Sequence, residues 1–310
     1  MNYIDINFNN LIKEIKEKDY LEIFEHIKST YQKLSSFNMA AIEIFLAQFG
    51  YWGKLSFNNN EFTELENRAQ TLKNNIDDFI WLFNNLSDYR SKIVLYGILN
   101  YWYNNNFVYL DKAYEKNYNH YFDLDLIKPN PNEIYVDVGA YTGDTILDFI
   151  NTFNSYQKIY AYEITPNSIN ILQNNLKSYK NIIIKNKALK DKTGIVYIND
   201  NLTNSSANTI ETTGDKPITC VTIDEDITEK ITMIKMDIEG SEYMALIGST
   251  NHIKNDTPKL LISVYHNHQD IIRIPKLINS LNKNYNYYLR CYGNKFYPTE
   301  IVLLAIPKNS

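Results

Sequence analysis

Five short segments in the second half of the chain are almost entirely apolar, and they limit the folds that the chain can adopt. These segments span residues 134–138, 158–163, 182–186, 231–236 and 260–265. A strand with one face in water alternates apolar and polar residues, whereas a strand buried on both faces does not. Helical patterns at 165–176 and 241–247 lie between some of the segments. Alternating helices and doubly buried strands predict an α/β fold around a largely parallel sheet.

The first part of the chain has apolar residues at helical spacing, and a pair of prolines follows it. Pro129 and Pro131 disfavour helix at their own positions and at the residues just before them. We therefore predict an all-helical N-terminal domain at residues 1–128 and an α/β domain at residues 129–310. The terminal segments that predict an antiparallel hairpin are 285–291 and 300–306.

Charge and hydropathy exclude several classes of protein. The formal net charge of -5 argues against a general nucleic-acid binder, because neutralising phosphates requires clustered Lys and Arg. No stretch approaches the roughly 18 apolar residues of a membrane span, and the first residues lack the pattern of a secretion signal. Cys220 and Cys291 have no metal-binding spacing. We therefore predict a cytoplasmic protein with no transmembrane segment and no nucleic-acid partner.

A turn that contains two glycines follows the first apolar segment. Gly139 and Gly143 would let the backbone approach a ligand closely, and Ala140 would keep the turn slim. The free N–H groups of the helix that begins there attract a carboxylate. The turn has neither the phosphate-loop pattern nor the G-x-G-x-x-G pattern of dinucleotide-binding folds. Since Asp137 suits a cationic amino group, the turn predicts a zwitterionic amino-acid ligand.

Glu163 ends the second apolar segment. An acid at this place in a nucleotide-binding fold accepts hydrogen bonds from both hydroxyls of a ribose. The alternative is that Glu163 caps the helix that begins near Thr165 and Pro166. A ribose joined to a methionine-like zwitterion indicates S-adenosylmethionine as the ligand.

Two carboxylates follow the fourth apolar segment, and a histidine follows the fifth. Asp237 and Glu239 are two residues apart at a strand end, so both could face one crevice, although capping the next helix is an equal alternative. A lone histidine such as His266 is more often structural. However, Asp137, Glu163, Asp237 and His266 all fall at the carboxyl ends of predicted parallel strands, which is the edge where open α/β sheets bind ligands.

Three blocks of the sequence resemble, in order, the signature blocks of the FkbM family of S-adenosylmethionine-dependent methyltransferases. These blocks are residues 136–145, 235–242 and 258–266. The segments that are similar to an N-terminal extension in one branch of the family are 86–92 and 120–123. The resemblance covers about 79–306. This chain has His120 where the family usually has Gln, and it has Tyr and Ile beside Glu163 where the family often has Phe and Pro.

The resemblance implies a Rossmann-like seven-stranded methyltransferase sheet, mostly parallel with the last strand antiparallel, and S-adenosylmethionine as cofactor. The turn residues implied to bind the cofactor are Asp137, Gly139, Ala140, Tyr141, Gly143, Asp144 and Thr145. Glu163 would bind the ribose, Ala188 would lie at the adenine, and Ser206 would lie in a loop that closes over the cofactor. Tyr121 and Phe122 would cover the site, unless they are core residues.

The reaction that the resemblance implies is O-methylation, typically of a sugar hydroxyl in a surface polysaccharide such as a capsule or lipopolysaccharide. His266 is our candidate for the base, because a histidine can accept a proton at neutral pH. Asp237 or Glu239 is the next candidate for that role. The same three groups could hold a divalent metal that binds sugar oxygens, but we do not predict a metal.

The sequence leaves the acceptor open. A nucleotide-activated sugar, a lipid-linked sugar, a secondary metabolite and a phosphoramidate-type group all fit, and a homodimer is equally open. Two rivals come from other classes of protein: an NAD-dependent nucleotide-sugar enzyme and a non-catalytic binding protein. The first rival would need a G-x-G-x-x-G motif after the first strand, and the chain has none there.

Overall fold

A computed structural model describes residues 2–198, 210–211, 216–293 and 296–308 of the chain. Its N-terminal part is helical, as predicted. The helices are α1 (Tyr3–Glu17), α2 (Tyr20–Gln32), α3 (Ser36–Phe49), α4 (Thr63–Asn74), α5 (Ile76–Asn85), α6 (Tyr89–Asn104) and α7 (Val108–Ala113). Helices α4 and α5 follow each other directly and meet at Asn75.

Local sequence signals explain where several of these helices begin and end. Asn2 and Asp19 cap α1 and α2, each in a capping box that satisfies two backbone N–H groups. Helix α3 ends at Gly50, whose φ of 71° lies in the left-handed region that glycine adopts without steric cost. Helix α6 is buried along most of its length, so it forms the centre of the helical core.

The rest of the chain alternates strands with helices. The elements are β1 (Ile134–Val138), α8 (Asp144–Phe153), β2 (Lys158–Tyr162), α9 (Pro166–Leu176), β3 (Ile182–Lys185), β4 (Ala188–Leu189), β5 (Gly194–Ile198), β6 (Ile210–Glu211), β7 (Lys216–Val221), α10 (Ile223–Asp226), β8 (Met233–Met236), α11 (Glu242–Ile247), α12 (Thr250–Asn255), β9 (Lys259–Ser263), α13 (Asp270–Leu281), β10 (Tyr285–Cys291) and β11 (Ile301–Pro307).

Seven of the strands form one sheet in the order β10-β11-β9-β8-β1-β2-β3. The five strands from β9 to β3 pair in parallel, and the last strands of the chain are antiparallel. The five parallel strands correspond to the five apolar segments, although the fourth strand begins at Met233 rather than at Ile231. The predicted fold class, a mostly parallel seven-stranded sheet with an N-terminal helical region, is confirmed.

A second, four-stranded sheet was not predicted. Its order is β4-β7-β5-β6, with β5 antiparallel to both of its neighbours. Its buried side is a small cluster of Ala188, Val196 and Cys220, against which Ile164 and Ile218 pack. Its strands are short and several of their residues are exposed, so the sequence shows no continuous apolar segment there.

The chain divides into two compact units, and each combines segments that are distant in sequence. The first unit contains residues Met1–Lys116, Val264–Pro275 and Asn286–Leu303. The second unit contains residues Asn117–Ser263, Lys276–Tyr285 and Leu304–Ser310. The predicted division of the chain between residues 128 and 129 stays a prediction. Among the residues that the structure describes, none of the helices combines the length and the apolar character that crossing a bilayer requires.

Candidate active site

The turn between β1 and α8 is held by backbone hydrogen bonds. The N–H groups of Gly139 and Ala140 both donate to the carbonyl oxygen of Tyr162, at 3.0 and 2.9 Å. Gly139, Tyr141 and Gly143 have φ values of 79°, 45° and 84°, so three of five consecutive residues are left-handed. Gly143 is the N-cap residue of α8, and its position leaves the first N–H groups of that helix without a side-chain cap.

The structure gives an internal reason for both glycines. A Cβ atom on Gly139 would lie 1.9 Å from the carbonyl oxygen of Asp237, and the φ of 84° at Gly143 would strain any other residue. These glycines therefore allow other parts of the same chain to pack closely against the turn. Contact of the turn with a ligand stays a prediction.

Asp137 is fully buried and forms an ion pair with Lys235. The two residues are cross-strand partners in the register of β1 and β8, and Lys235 Nζ lies 3.0 Å from Asp137 Oδ1. Burial raises the pKa of the Asp137 carboxyl, and the Lys235 ammonium opposes that rise. Burial alone would lower the pKa of Lys235, but the nearby carboxylates more than offset it and raise that pKa. The Asp137 carboxylate therefore already has a cation within the protein.

Lys235 also reaches the glycine turn. Its Nζ donates to the carbonyl oxygen of Gly139 at 2.9 Å, and it lies 5.3 Å from the centre of the Tyr121 ring. One ammonium group thus connects β8, the end of β1 and the aromatic segment before β1. We did not predict a role for Lys235, although a lysine inside an apolar strand segment is a signal of a buried partner.

Glu163 binds backbone at two places. Its Oε2 accepts the N–H of Tyr141 at 2.9 Å, and its Oε1 accepts the N–H groups of Ile164 and Thr165 at 2.9 and 2.7 Å. Thr165 is the N-cap residue of α9. Burial raises the pKa of the Glu163 carboxyl, and the backbone donors oppose that rise. Glu163 therefore links the glycine turn to the start of α9, and its predicted contact with a ribose stays a prediction.

Tyr121 lies beside Asp237 at the ends of β8 and β9. Its hydroxyl donates to Asp237 Oδ2 at 2.6 Å and lies 3.2 Å from Ser263 Oγ. Tyr121 has a φ of 71° and stacks on His120 with ring centres 4.0 Å apart. Burial lowers the pKa of His120 to about 4, so this imidazole is neutral at pH 7. Ser263 is a residue of this group that we did not predict.

Glu239 lies in a strained turn between β8 and α11. Its φ is 56°, which is uncommon for a residue other than glycine, and Gly240 follows with a φ of 96°. The N-cap residue of α11 is Ser241, and Glu242 accepts the N–H of Ile238 at 2.8 Å. Tyr121, Tyr141 and Glu239 are three of the nine described non-glycine residues with a positive φ, a strained conformation that also occurs at functional sites.

His266 belongs to the first unit. It is buried in the loop between β9 and α13, where its ring lies 5.5 Å from the ring of Tyr51 and 4.1 Å from that of Tyr265. The role of His266 as a base stays a prediction.

The other predicted residues have different surroundings. Phe122 packs on Phe149 and Phe153, which favours the core alternative for this residue. Ala188 is buried in the cluster of the second sheet. The side chain of Tyr141 is 38% exposed, and Asp144 and Thr145 form the first turn of α8. Ser206 lies outside the described residues.

Residues 137–290 match the family model of the Methyltransferase FkbM domain. The chain carries an FkbM methyltransferase domain. The family resemblance seen in the sequence is thereby confirmed. No curated protein matches the chain.

Solved structures are also similar to the chain. A methyltransferase FkbM from Methylobacillus flagellatus KT has 25% sequence identity and a TM-score of 0.68, over 85% of this chain and 66% of that one. The chain thus spans just under two thirds of that protein's length. Fibrillarin from Aeropyrum pernix with bound S-adenosyl-L-methionine has 11% identity and a TM-score of 0.38, over 57% of this chain and 67% of that one. A putative methyltransferase from Streptococcus mutans in complex with SAH has 13% identity and a TM-score of 0.35, over 58% and 75%.

Proposed function

We propose that this chain is an S-adenosylmethionine-dependent O-methyltransferase. The observation that carries the proposal is the connected site at the carboxyl ends of β1, β2 and β8, within the FkbM domain. There Glu163 binds the turn at Tyr141, and Lys235 binds the same turn at Gly139. Ligands of open α/β sheets bind at this edge.

The chemistry of the site fits this cofactor. The uncapped N–H groups at the start of α8 suit the carboxylate of the methionine moiety. Glu163, which is 8% exposed and charged when deprotonated, suits the ribose hydroxyls. Asp137 is less suited to direct contact with the amino group, because its carboxylate would have to leave Lys235. We therefore assign Asp137 to holding the turn and leave the amino group to backbone carbonyl oxygens.

The start of α8 and Glu163 would hold the cofactor, which would supply an electrophilic methyl group bonded to a positively charged sulfur. The protein has to align the acceptor hydroxyl and take its proton. Alignment supplies most of the acceleration, and a positioned base adds about 10²–10⁴-fold. We assign the role of base to His266. The second candidate for this role is Asp237 or Glu239.

We propose a sugar hydroxyl of a surface glycan as the acceptor, presented in the cytoplasm on a nucleotide or a lipid carrier. The family resemblance of the three sequence blocks supports this class of acceptor. A secondary metabolite or a phosphoramidate-type group is the alternative acceptor.

The experiment is transfer of labelled methyl from S-adenosylmethionine to a panel of nucleotide-activated and lipid-linked sugars. With an acceptor in hand, we expect His266→Ala to lower kcat by about 10²-fold or more, with little change in cofactor affinity. His26→Ala is the matched control, because His26 lies on α2 and bonds to Asn104. If His266→Ala keeps normal turnover, the base is Asp237 or Glu239 instead. If methyl is transferred to none of the sugars in the panel, the proposed acceptor class is wrong.

A further inference from the structure

The segment between α3 and α4 contacts the loop that carries His266, and both belong to the first unit. This loop, residues 264–269, lies between β9 and α13. Two residues of the segment between α3 and α4, Tyr51 and Trp52, each make a distinct contact with this loop. Residues 1–78 have no counterpart in the sequence blocks that resemble the FkbM family, so these contacts give the segment a role to test.

Trp52 makes a direct hydrogen bond to the loop. Its indole Nε1 donates to the carbonyl oxygen of Tyr265 at 2.6 Å, and the residue is 2% exposed. The indole ring is fixed by Tyr297, with ring centres 4.6 Å apart, and by Phe45 at 5.7 Å. Asn67 of α4 donates to the Trp52 carbonyl oxygen at 2.9 Å. Because both the ring and the backbone of Trp52 are held, its N–H can fix the position of the Tyr265 carbonyl oxygen, just before His266.

Tyr51 contacts the imidazole itself. The two rings are almost perpendicular, at 84°, with centres 5.5 Å apart. Tyr265 packs on the same imidazole, with ring centres 4.1 Å apart and an angle of 38° between planes. Two tyrosine rings therefore pack against the His266 ring, and one of them, Tyr51, comes from the segment between α3 and α4.

A second attachment holds the loop two residues after His266. His268 Nε2 lies 3.2 Å from the hydroxyl of Tyr297, which donates to Glu64 Oε1 at 2.6 Å. Glu64 is fully buried on α4 and forms an ion pair with Arg68, which is equally buried. Breaking a buried pair of this kind is costly, so the pair holds the Glu64 carboxylate in place on α4. Residues between 51 and 68 thus hold the loop on both sides of His266.

We propose that Trp52 is a positioning residue for His266, so that the N-terminal helices are part of the methyl-transfer machinery. This inference rests on the proposed function, in which His266 is the base. Loss of the Trp52 hydrogen bond would let the imidazole shift, and a shift of about 1 Å in a catalytic group can lower the rate by about 10²-fold.

The test replaces the indole N–H of Trp52 and measures both turnover and the NMR signals of the His266 ring. Trp52→Phe removes the donor, and 3-benzothienylalanine at position 52 replaces only the N–H by sulfur, so the packing of the bicyclic ring is kept. We expect both variants to lower kcat by about 10-fold or more, with KM for S-adenosylmethionine nearly unchanged. We also expect the NMR signals of the His266 ring to move, and these can be assigned with variants because the chain has five histidines.

Trp81→Phe is the matched control, because Trp81 lies on α5 with its ring against Tyr287. This variant should change neither kcat nor the His266 signals. If His266→Ala abolishes turnover while the benzothienyl variant leaves kcat and the His266 signals unchanged, the positioning role is wrong and the proposed function stands. If His266→Ala keeps full turnover, the assignment of the base fails and the positioning proposal is overturned with it.

Discussion

Replacing Lys235 by methionine should destabilise the protein strongly. The substitution keeps a long apolar stem but removes the ammonium that lies 3.0 Å from Asp137 Oδ1, in a pair whose side chains are 3% and 0% exposed. Leaving one charge of a buried pair without its partner costs about 3–5 kcal/mol. Loss of the hydrogen bond to the Gly139 carbonyl adds about 1 kcal/mol. We therefore expect the free energy of unfolding to fall by about 4–6 kcal/mol.

Urea denaturation of four proteins measures this effect: the wild type, Lys235→Met, Asp137→Asn and the double variant. Because the double variant removes both charges, it should be at least about 2 kcal/mol more stable than Lys235→Met. Lys259→Met is the matched control. Lys259 pairs with Glu133 at 2.8 Å, but its side chain is 12% exposed, so water can replace part of the interaction and the loss should be smaller.

The destabilisation should also depend on pH. Burial raises the pKa of the Asp137 carboxyl in the folded protein, and loss of Lys235 raises it further. A carboxyl with a raised folded-state pKa destabilises the fold as pH rises through that pKa. The loss of unfolding free energy in Lys235→Met, relative to the wild type, should therefore be smallest at acid pH and largest at neutral pH. A loss below about 1 kcal/mol at pH 7, or a double variant no more stable than the single one, would refute the role of this ion pair.

Two further predictions concern the same site. Gly139→Ala should abolish stable folding of the turn, because its Cβ would meet the Asp237 carbonyl oxygen at 1.9 Å and its φ is positive. Gly194→Ala should be tolerated, because among the described residues its Cβ would meet only Cys220 Sγ, at 3.8 Å. Thermal melting of both variants checks this, and equal melting temperatures would contradict it. Tyr121→Phe should cost about 1–3 kcal/mol of unfolding free energy, since it leaves Asp237 Oδ2 without its 2.6 Å donor, and an unchanged denaturation midpoint would count against that bond.

The parallel strands of the large sheet could be predicted from the sequence because they are short and mostly apolar. Ile134–Val138 is buried at all five positions, and Asp137 is its one charged residue. The second sheet could not be predicted, because a strand such as Lys216–Val221 has exposed residues at several positions and pairs with segments that are themselves short. The end of α3 at Gly50 could be predicted because left-handed backbone favours glycine.

The site was predictable residue by residue but not in its connections. Asp137, Glu163 and Asp237 lie at strand ends as expected, because parallel strands place their carboxyl ends at one edge. The pairing of Asp137 with Lys235 depends on which strands are neighbours and on their register, and one sequence does not contain that information. The hydrogen bond from the Tyr141 N–H to Glu163 likewise depends on the left-handed turn, which places that N–H toward β2.

Calorimetric titration with S-adenosylmethionine tests the central claim most directly. We expect one molecule to bind per chain, and Glu163→Ala to lower the affinity roughly 10- to 100-fold, because the ribose hydroxyls would lose a charged acceptor worth about 1.5–3 kcal/mol. Glu229→Ala is the matched control. The Glu229 carboxylate pairs with Lys158 at 2.5 Å and is not one of the predicted cofactor contacts. A wild type that binds no S-adenosylmethionine would contradict the account. A Glu163→Ala variant that melts earlier but binds as tightly as the wild type would reduce Glu163 to a capping residue.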